Sequence, residues 1–433
     1  MIDPAVALTL AAITYRGSDL NLSDPHSREV TYNEMTGCLR TFGQVKGNWE
    51  IVWGPAGFRP GIVGLDISAM YVARMTHAPK DVVIAIRGTN FYSITDWLSN
   101  LLIDQRGWTY GDSAAVANVK VSASTAIGLH ILQRLRSAPR LTGTTNPSFW
   151  NAATSWVTTH EARLGYALLS LVEQGTGLPA DRDLLGAVAS WVQATTGNGL
   201  STGMLDFVHR LDAAVTQASS STIDEVALLG QVERAQDRFP GGVSLLDFLR
   251  TLIATESGPV NIYVVGHSKG GPLAAALALW LADTQGTTVL GAEQWDPNHD
   301  AQISMCTFAA PTPGNSSFAD HFRKQIANDY RVCNPLDVVP HAWNAAEVGQ
   351  IPDLYNGELK ILKGLVDALT PVLERLDYQH EGPAQPWPAP QQKSGTLPAQ
   401  IAFQHLDAYL DKFNLLGEPP DKMSFDSLFK PIS

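Results

Sequence analysis

The sequence predicts an α/β fold with a mostly parallel central sheet, flanked by helices and interrupted by an all-helical insertion. Segments rich in apolar and β-branched residues recur between helical ones from residue 49 onward. Several of these segments are continuous apolar runs, as expected for strands covered on both faces. Between residues 136 and 242 such runs are missing. We therefore divide the chain into a core (residues 1–135 and 243–433) and a helical insertion (136–242) that acts as a cap or as a partner surface.

The core begins with an apolar stretch after Asp3, which predicts a helix docked on the sheet. Seven strands follow in the order 49–53, 69–75, 81–86, 119–122, 260–265, 303–308 and 330–333. Inside the insertion, residues 222–225 (TIDE) match a capping box and predict a helix start. Near the carboxyl end, the proline-rich residues 383–390 predict an arm without regular structure, before a last helix from about Ala399.

Composition excludes several classes of protein. Of the 433 residues, 17% are charged and 45% are apolar, which is typical of neither a disordered chain nor a coiled coil. The net charge is −12 and no dense run of Lys or Arg occurs, so we expect no nucleic-acid partner. The histidines are scattered and the three cysteines show no metal-ligand spacing, so we predict no metal and no other cofactor.

The sequence also bears on location. No basic residue precedes the apolar stretch near the amino end, which is unlike a secretory signal. The longest unbroken apolar run, residues 273–282, is about half of the roughly 20 residues that cross a bilayer. We expect a cytoplasmic protein, with secretion independent of a signal peptide as the alternative.

A serine nucleophile is indicated at residues 266–270 (GHSKG), which match the pattern G-x-S-x-G. So short a pattern also occurs by chance, and residues 199–203 (GLSTG) match it equally well. The surroundings distinguish the two serines. Ser268 follows the predicted strand 260–265 and precedes an Ala- and Leu-rich helix, whereas Ser201 follows a loop. We predict that Ser268 is the nucleophile and that Ser201 caps a helix.

The glycines around Ser268 support this assignment. A nucleophile on a tight strand-to-helix turn needs residues without side chains two positions before and two after it, where strand and helix approach closely. Gly266 and Gly270 meet that need. Pro272 fits the first turn of the following helix, where its missing N–H would be unpaired anyway.

A serine hydroxyl requires a base within hydrogen-bond reach and a carboxylate that orients the base. Asp337 follows the predicted strand 330–333, at the carboxyl edge where ligands gather in open α/β sheets, and we predict that it is the acid. Three histidines follow it in the chain and remain open as the base: His341 in a loop, His380 and His405.

An oxyanion developing on the substrate needs aimed hydrogen-bond donors. The amide of Lys269, directly after Ser268, is one predicted donor. Thr89 follows the predicted strand 81–86 and is the second, through its amide and its hydroxyl; a simple turn is the alternative reading.

Taken in order, these motifs resemble the class 3 (fungal-type) lipases of the α/β-hydrolase superfamily. Five segments carry the resemblance: 84–89 (IAIRGT) with 96–101 (DWLSNL), 266–271 (GHSKGG), 307–315 (TFAAPTPGN), 330–340 (YRVCNPLDVVP), and 380–382 (HEG) with Trp387 ahead of His405. The likeness covers about residues 60–135 and 243–410. It departs from the family at Lys269, where Leu is usual, and in the insertion, which compact members lack.

The resemblance implies an α/β-hydrolase fold and a Ser-His-Asp triad. It assigns His380 to a structural element and therefore favours His405 as the base. It also implies a lid in the segment after Thr89, where an apolar helical face would meet lipid; ordinary core packing is the alternative. The lid candidates are Phe91, Ile94, Trp97, Leu98 and Leu101.

The function that follows is a carboxylic ester hydrolase, a lipase or esterase similar to triacylglycerol lipases, that works through an acyl-enzyme. Its partners would be small-molecule or lipid esters and, transiently, a lipid interface; no oligomeric state is predicted. One alternative is another acyl enzyme on the same triad, such as a phospholipase A1, a thioesterase or an acyltransferase. The other is a non-catalytic interaction protein that retains the fold.

Overall fold

A computed structural model describes residues 1–16, 22, 24–59, 67–88, 105–138, 225–237, 242–256, 258–286, 295–387, 396–417 and 422–429. The strands within these ranges are β1 (Trp49–Phe58), β2 (Ser68–Met75), β3 (Asp81–Ile86), β4 (Gln105–Gly107), β5 (Lys120–Ser122), β6 (Arg136–Ser137), β7 (Val243–Ser244), β8 (Val260–His267), β9 (Ala301–Phe308), β10 (Gly314–Asn315), β11 (Asp329–Val332), β12 (Tyr378–Gln379) and β13 (Ala384–Gln385).

The helices in the same ranges are α1 (Pro4–Ile13), α2 (Pro25–Thr41), α3 (Ser113–Val116), α4 (Ala123–Arg134), α5 (Glu225–Gln236), α6 (Leu245–Thr255), α7 (Gly270–Thr284), α8 (Ser316–Gln325), α9 (Ala345–Val348), α10 (Leu354–Gly357), α11 (Lys363–Leu376), α12 (Leu397–His405), α13 (Asp407–Lys412) and α14 (Phe425–Phe429). Two 3₁₀ turns, Ile351–Asp353 and Lys360–Leu362, flank α10. None of these described helices has the length and apolar character that a membrane crossing requires.

The central sheet has seven strands in the order β1-β2-β3-β8-β9-β11-β13. The first three strands pair antiparallel, and the pairs from β3 to β13 are parallel. The mostly parallel α/β sheet predicted from the apolar runs is therefore confirmed. Parallel pairing sends the carboxyl ends of β8, β9 and β11 to one edge of the sheet, where ligands bind in folds of this class.

Hydrophobic layers cover both faces of this sheet. Along β3, Val83 and Ala85 belong to one buried cluster, which includes α1, whereas the alternate residues Val82, Ile84 and Ile86 belong to the other, with α7. Successive side chains of a strand point to opposite faces, so a strand buried on both sides must be apolar throughout. The predicted docking of the first helix also holds, because residues 7–13 of α1 are fully buried.

The described ends of the predicted insertion pack on the core. Strand β6 pairs antiparallel with β7, and Leu228 and Val232 of α5 are buried in the same cluster as α4 and α7. Buried Arg28 ties these ends together, donating to the carbonyl oxygen of Arg136 at 2.6 Å and to Gln236 Oε1 at 3.4 Å. Residues 139–224 lie outside the described residues, so their assignment as a helical cap or partner surface stays a prediction.

Two local expectations near the carboxyl end are wrong. The proline-rich segment contains the short strand β13, which adds to the sheet by parallel pairing of Ala384 with Arg331. Proline is tolerated beside such a strand because β13 lies at the sheet edge. The last helix, expected to run on from about Ala399, is divided: α12 ends at His405, and a new helix begins at Asp407.

Candidate active site

Ser268 lies on a tight turn between β8 and α7. Its φ of 58° is in the left-handed region, which is uncommon for a residue with a side chain and marks a constrained site. Two backbone bonds fix the turn: the Ser268 N–H donates to the Phe308 carbonyl oxygen at 2.9 Å, and the Gly271 N–H donates to the Ser268 carbonyl oxygen at 2.8 Å.

Close backbone packing around this turn explains its glycines. A Cβ on Gly266 would overlap the carbonyl oxygen of Gly270, and a Cβ on Gly270 would lie 2.5 Å from the carbonyl oxygen of Ile86. The turn therefore fits only where both positions lack a side chain, which is the geometry that the sequence predicted for an elbow.

His405 and Asp337 converge on Ser268. The Nε2 atom of His405 lies 2.8 Å from Ser268 Oγ, and its Nδ1 atom lies 2.9 Å and 3.1 Å from the two carboxylate oxygens of Asp337. An ionised carboxylate only accepts, so Nδ1 carries the proton and Nε2 accepts from the serine hydroxyl. The three side chains form one continuous hydrogen-bonded chain, with Ser268 3% exposed and the other two fully buried.

Two further donors hold the Asp337 carboxylate. The Val339 N–H donates to Oδ1 at 3.0 Å, and the Tyr409 hydroxyl donates to Oδ2 at 2.9 Å. Burial, followed by the charge of Asp337, raises the pKa of Tyr409 well above its usual value, so this phenol stays a donor. The same hydroxyl accepts from the Asn334 N–H at 3.0 Å. The carboxylate is thus held in one orientation relative to the imidazole.

A buried amide pair ties the loop after β11 to helix α12. Asn334 Nδ2 donates to the backbone carbonyl oxygen of Gln404 at 3.0 Å and to its Oε1 atom at 2.6 Å. Both residues are fully buried, and Gln404 directly precedes His405. The contact therefore sets the distance between the segment that carries the carboxylate and the segment that carries the imidazole.

His267 is hydrogen-bonded to the backbone of His405 and to the side chain of Tyr15. Its Nε2 atom lies 2.9 Å from the carbonyl oxygen of His405, and its Nδ1 atom lies 2.9 Å from the hydroxyl of Tyr15. Because a carbonyl oxygen only accepts, Nε2 carries the proton and Nδ1 accepts from the phenol. Burial and, after it, the charge of His405 lower the pKa of His267 well below its usual value, so the ring stays neutral.

The other two histidine candidates, His341 and His380, form hydrogen bonds with the backbone of the loop that carries Asp337. His341 Nδ1 donates to the Asp337 carbonyl oxygen at 2.7 Å, and His341 is buried. His380 Nε2 donates to the Pro340 carbonyl oxygen at 3.0 Å and lies 3.2 Å from Glu347 Oε2. Burial raises the pKa of Glu347, but the hydrogen bond and charge of His380 outweigh it, so the net pKa lies below the usual value. Of the three histidines, His405 is the one whose ring contacts Ser268.

The remaining predicted residues divide into two groups. Lys269 lies between Ser268 and the first residue of α7, so its amide is at the helix amino end beside the serine. Thr89 and the lid candidates Phe91, Ile94, Trp97, Leu98 and Leu101 lie outside the described residues. Their roles stay predictions. In the described part of the chain, no group of three or more His, Cys, Asp or Glu side chains is arranged to hold a metal ion.

A small cavity of about 20 Å³, enough for about one water molecule, lies beside the elbow. It is bounded by the first turn of α4, the first turn of α7 and the loops after β9 and β11, through Ser122, Ser124, Thr125, Lys269, Pro272, Leu273, Pro311, Thr312 and Trp343.

Sequence reasoning missed the supporting residues Tyr15, His267, Asn334, Gln404 and Tyr409. Their contacts span long stretches of chain, 252 residues for Tyr15 with His267 and 72 for Tyr409 with Asp337. A usable signal was that His267 and Asn334 fall inside the motifs already singled out, where a buried polar side chain needs a partner.

Comparison with known proteins identifies the same region. The family described as Lipase (class 3) matches residues 243–347, which include the elbow, the strand and loop after it, and the Asp337 loop. No curated protein sequence matches the chain.

Three solved structures are similar over much of the chain. The M37 lipase is 25% identical, with 94% of this chain and 92% of that chain covered and a TM-score of 0.59. The propeptide complex of Rhizomucor miehei lipase is 15% identical, with 64% and 49% covered and a TM-score of 0.29. A lipase from Rhizopus microsporus var. chinensis is 14% identical, with 79% and 68% covered and a TM-score of 0.31.

Proposed function

The chain belongs to the class 3 lipase family of α/β-hydrolase enzymes, and on that premise we propose that it hydrolyses lipid esters through Ser268, His405 and Asp337. Family membership makes the chain a serine hydrolase and sets aside the non-catalytic alternative. What we propose beyond the family is the mechanism and the residues that carry it.

In the first half of the reaction, Ser268 Oγ attacks the ester carbonyl carbon while His405 Nε2 takes the hydroxyl proton. The 2.8 Å separation of these atoms is within hydrogen-bond reach, so no rearrangement is needed before proton transfer. Asp337 stabilises the imidazolium that forms and holds the tautomer with the proton on Nδ1. The imidazolium then gives its proton to the leaving alcohol, and an acyl-enzyme remains.

In the second half, a water molecule attacks the acyl-enzyme with His405 again as the base, and the free acid leaves. In both halves a negative charge develops on the former carbonyl oxygen. We assign the Lys269 amide as one donor to this oxyanion, because it lies at the amino end of α7, where the helix dipole also favours negative charge. Thr89 is the second donor proposed from the sequence.

The observation that carries this proposal is the unbroken chain of hydrogen bonds from Ser268 through His405 to Asp337, all three of which are buried. The Val339 N–H and the Tyr409 hydroxyl donate to the two oxygens of the Asp337 carboxylate. A neutral imidazole between a serine and a buried carboxylate matches the requirement for activating a hydroxyl at neutral pH. Ordinary core packing would not require a serine with a positive φ whose hydroxyl faces a hydrogen-bonded histidine and aspartate.

The proposal is tested with p-nitrophenyl esters of graded acyl length, triacylglycerols and diacyl phospholipids, with free acid as the readout. We expect hydrolysis by the wild type, loss in Ser268→Ala, and a kcat lower by on the order of 10³ to 10⁴ in Asp337→Asn. His405→Ala should be as inactive as Ser268→Ala, whereas His380→Ala should keep measurable turnover. An inactive His380→Ala beside an active His405→Ala would refute the assigned base.

The preference between triacylglycerols and phospholipids separates the lipase from the phospholipase alternative. We also propose contact with a lipid interface through the predicted lid, on the sequence pattern of Phe91, Ile94, Trp97, Leu98 and Leu101. Activity on tributyrin below and above its solubility limit tests this. A rate jump at the limit that Trp97→Ala abolishes supports the lid, and a smooth rate curve in the wild type refutes it.

A further inference from the structure

Helix α14 packs against the histidine that precedes Ser268. The centroid of the Phe425 ring lies 4.8 Å from that of the His267 ring, and the two ring planes are inclined by 34°. Two rings at so short a distance and so small an angle are stacked with an offset, rather than packed edge to face. Phe425 is fully buried, so its ring covers one face of the imidazole away from solvent.

This contact restrains a motion that the hydrogen bonds of His267 leave open. Its Nε2 atom donates to the His405 carbonyl oxygen, and its Nδ1 atom accepts from the Tyr15 hydroxyl. Bonds to the two nitrogens of an imidazole are directed in the plane of the ring, so both weaken if the ring swings about the line that joins these atoms. The Phe425 ring, packed on the imidazole face, opposes that swing.

The same helix also fixes Tyr15, the second partner of His267. The Tyr15 ring packs edge to face against both Phe425 and Phe429, with centroid distances of 5.4 Å in each case and interplanar angles of 80° and 82°. Helix α14 therefore holds the imidazole and also the phenol that donates to it.

The backbone of Phe425 contacts the segment that carries the proposed base. The Phe425 N–H donates to Asp407 Oδ1 at 3.0 Å. Asp407 is the first residue of α13 and lies two positions after His405, directly after the helix break at Leu406. This bond holds the chain at the point where it leaves helical geometry beside the base.

Helix α14 is itself anchored on the core. The Met423 N–H donates to the Leu415 carbonyl oxygen at 2.9 Å, and the Gly417 N–H donates to the Met423 carbonyl oxygen at 3.0 Å. Met423 and Leu428 are both 1% exposed and belong to the same hydrophobic cluster as α1. The helix is therefore a fixed support for the residues that it contacts.

Resting on the proposed function, we infer that Phe425 and Asp407 are positioning residues for the reaction. Through its ring Phe425 contacts His267, which directly precedes Ser268. Through its N–H it binds Asp407, which follows His405 by two positions. One residue thus links the turn of the nucleophile to the segment of the base, and it maintains the 2.8 Å separation between Ser268 Oγ and His405 Nε2 without touching either atom.

Substitutions at the two contacts test this inference in the full chain, with a soluble p-nitrophenyl ester as substrate. Phe425→Leu keeps an apolar side chain but removes the ring, and Asp407→Ala removes the acceptor. Each should lower kcat about tenfold and leave KM within roughly twofold of the wild type, because binding is kept while the base is misplaced. Asp407→Asn should keep kcat within roughly twofold of the wild type, because its amide oxygen still accepts from the Phe425 N–H.

Ile131→Val is the control for a general loss of stability. It trims a buried side chain of α4 in the other hydrophobic cluster, which lies on the far face of the sheet from α1. Urea unfolding is measured for every variant beside its kinetics. The control should lower the unfolding midpoint and leave kcat unchanged, since no contact of His267 or Asp407 is altered.

The positioning role is overturned if Phe425→Leu or Asp407→Ala keeps kcat within roughly twofold of the wild type. It is also overturned if Asp407→Asn is as slow as Asp407→Ala, or if Ile131→Val lowers kcat as much as Phe425→Leu does. In each of these cases, wild-type hydrolysis that Ser268→Ala abolishes still sustains the proposed function. A wild type that does not hydrolyse the ester would overturn both proposals.

Discussion

His267 Nε2 lies 2.9 Å from the carbonyl oxygen of His405, so the residue before Ser268 is hydrogen-bonded to the backbone of the histidine that faces Ser268. The two contacts come from opposite ends of one dipeptide: Ser268 Oγ meets the His405 ring, and the His267 ring meets the His405 main chain. Any shift of α12 relative to the elbow therefore breaks both bonds together.

His267→Phe should lower kcat about tenfold with little change in KM, because the ring volume is kept while the bond that positions His405 is lost. Steady-state kinetics on a soluble ester checks this. Tyr15→Phe is the matched control, because it removes the contact on Nδ1 and leaves the bond to His405. A loss in Tyr15→Phe as large as that in His267→Phe would contradict the positioning role.

His267 also predicts how stability depends on pH. Its pKa in the folded protein is far below the usual 6.5, so below about pH 6.5 the unfolded chain binds a proton that the folded chain does not. The free energy of unfolding therefore falls as pH falls, by about 1.4 kcal/mol per pH unit from this group.

His267→Phe should remove that part of the slope, as measured by urea unfolding between pH 5 and pH 8. His77→Gln, at an exposed position, should keep the wild-type slope. An unchanged slope in His267→Phe would show that the ring is not held neutral.

Tyr409→Phe should cost about 1–3 kcal/mol of unfolding free energy, because Asp337 Oδ2 loses a donor and the buried Asn334 N–H loses its acceptor. It should also lower kcat, but less than Asp337→Asn does, since the Val339 N–H still holds the carboxylate. Denaturant unfolding and kcat are measured beside Tyr330→Phe at a partly exposed position. Equal effects of the two substitutions would contradict the account.

Gly266→Ala should destabilise the protein by roughly 1–3 kcal/mol, because the new Cβ meets the Gly270 carbonyl group, which cannot move without displacing α7. Gly37→Ala provides the control, since a Cβ on this helical glycine meets nothing within 4 Å. It should stabilise by about 0.5–1 kcal/mol. Unfolding midpoints that shift in the same direction for both variants would refute close packing at the elbow.

The sheet was predictable because strands buried on both faces must be apolar without interruption. The six residues of β3 were predicted with their bounds, and the bounds of β8, β9 and β11 to within about two residues. The helix break beside His405 could not be predicted in this way. Leu406 leaves helical geometry with φ −114° and ψ −84°, and neither Gly nor Pro marks the place. Tertiary contacts of His405 with Ser268 and Asp337 accompany that break.

Residues of the candidate site could be predicted where they lie within a short sequence motif. The residues that hold them in place could not be predicted, because they are far away in the sequence. The elbow glycines, Ser268 and Asp337 were predicted from short patterns and their neighbouring elements, whereas His405 was favoured over His341 and His380 by the family resemblance. The Tyr15 contact with His267 joins the first helix to the elbow, and no periodicity relates positions 252 residues apart. Strand β13 was missed for a similar reason, because two residues beside prolines form a strand only when β11 is there to pair with them.

The central claim is that Ser268 is a hydroxyl activated by His405, and covalent labelling tests it most directly. The intact protein is treated with a fluorophosphonate, its mass is measured, and the modified peptide is sequenced. We predict one adduct per chain on Ser268, retained in Ser201→Ala, absent in Ser268→Ala and slowed by orders of magnitude in His405→Ala. An unlabelled wild type, or an adduct on any other serine, would contradict the account.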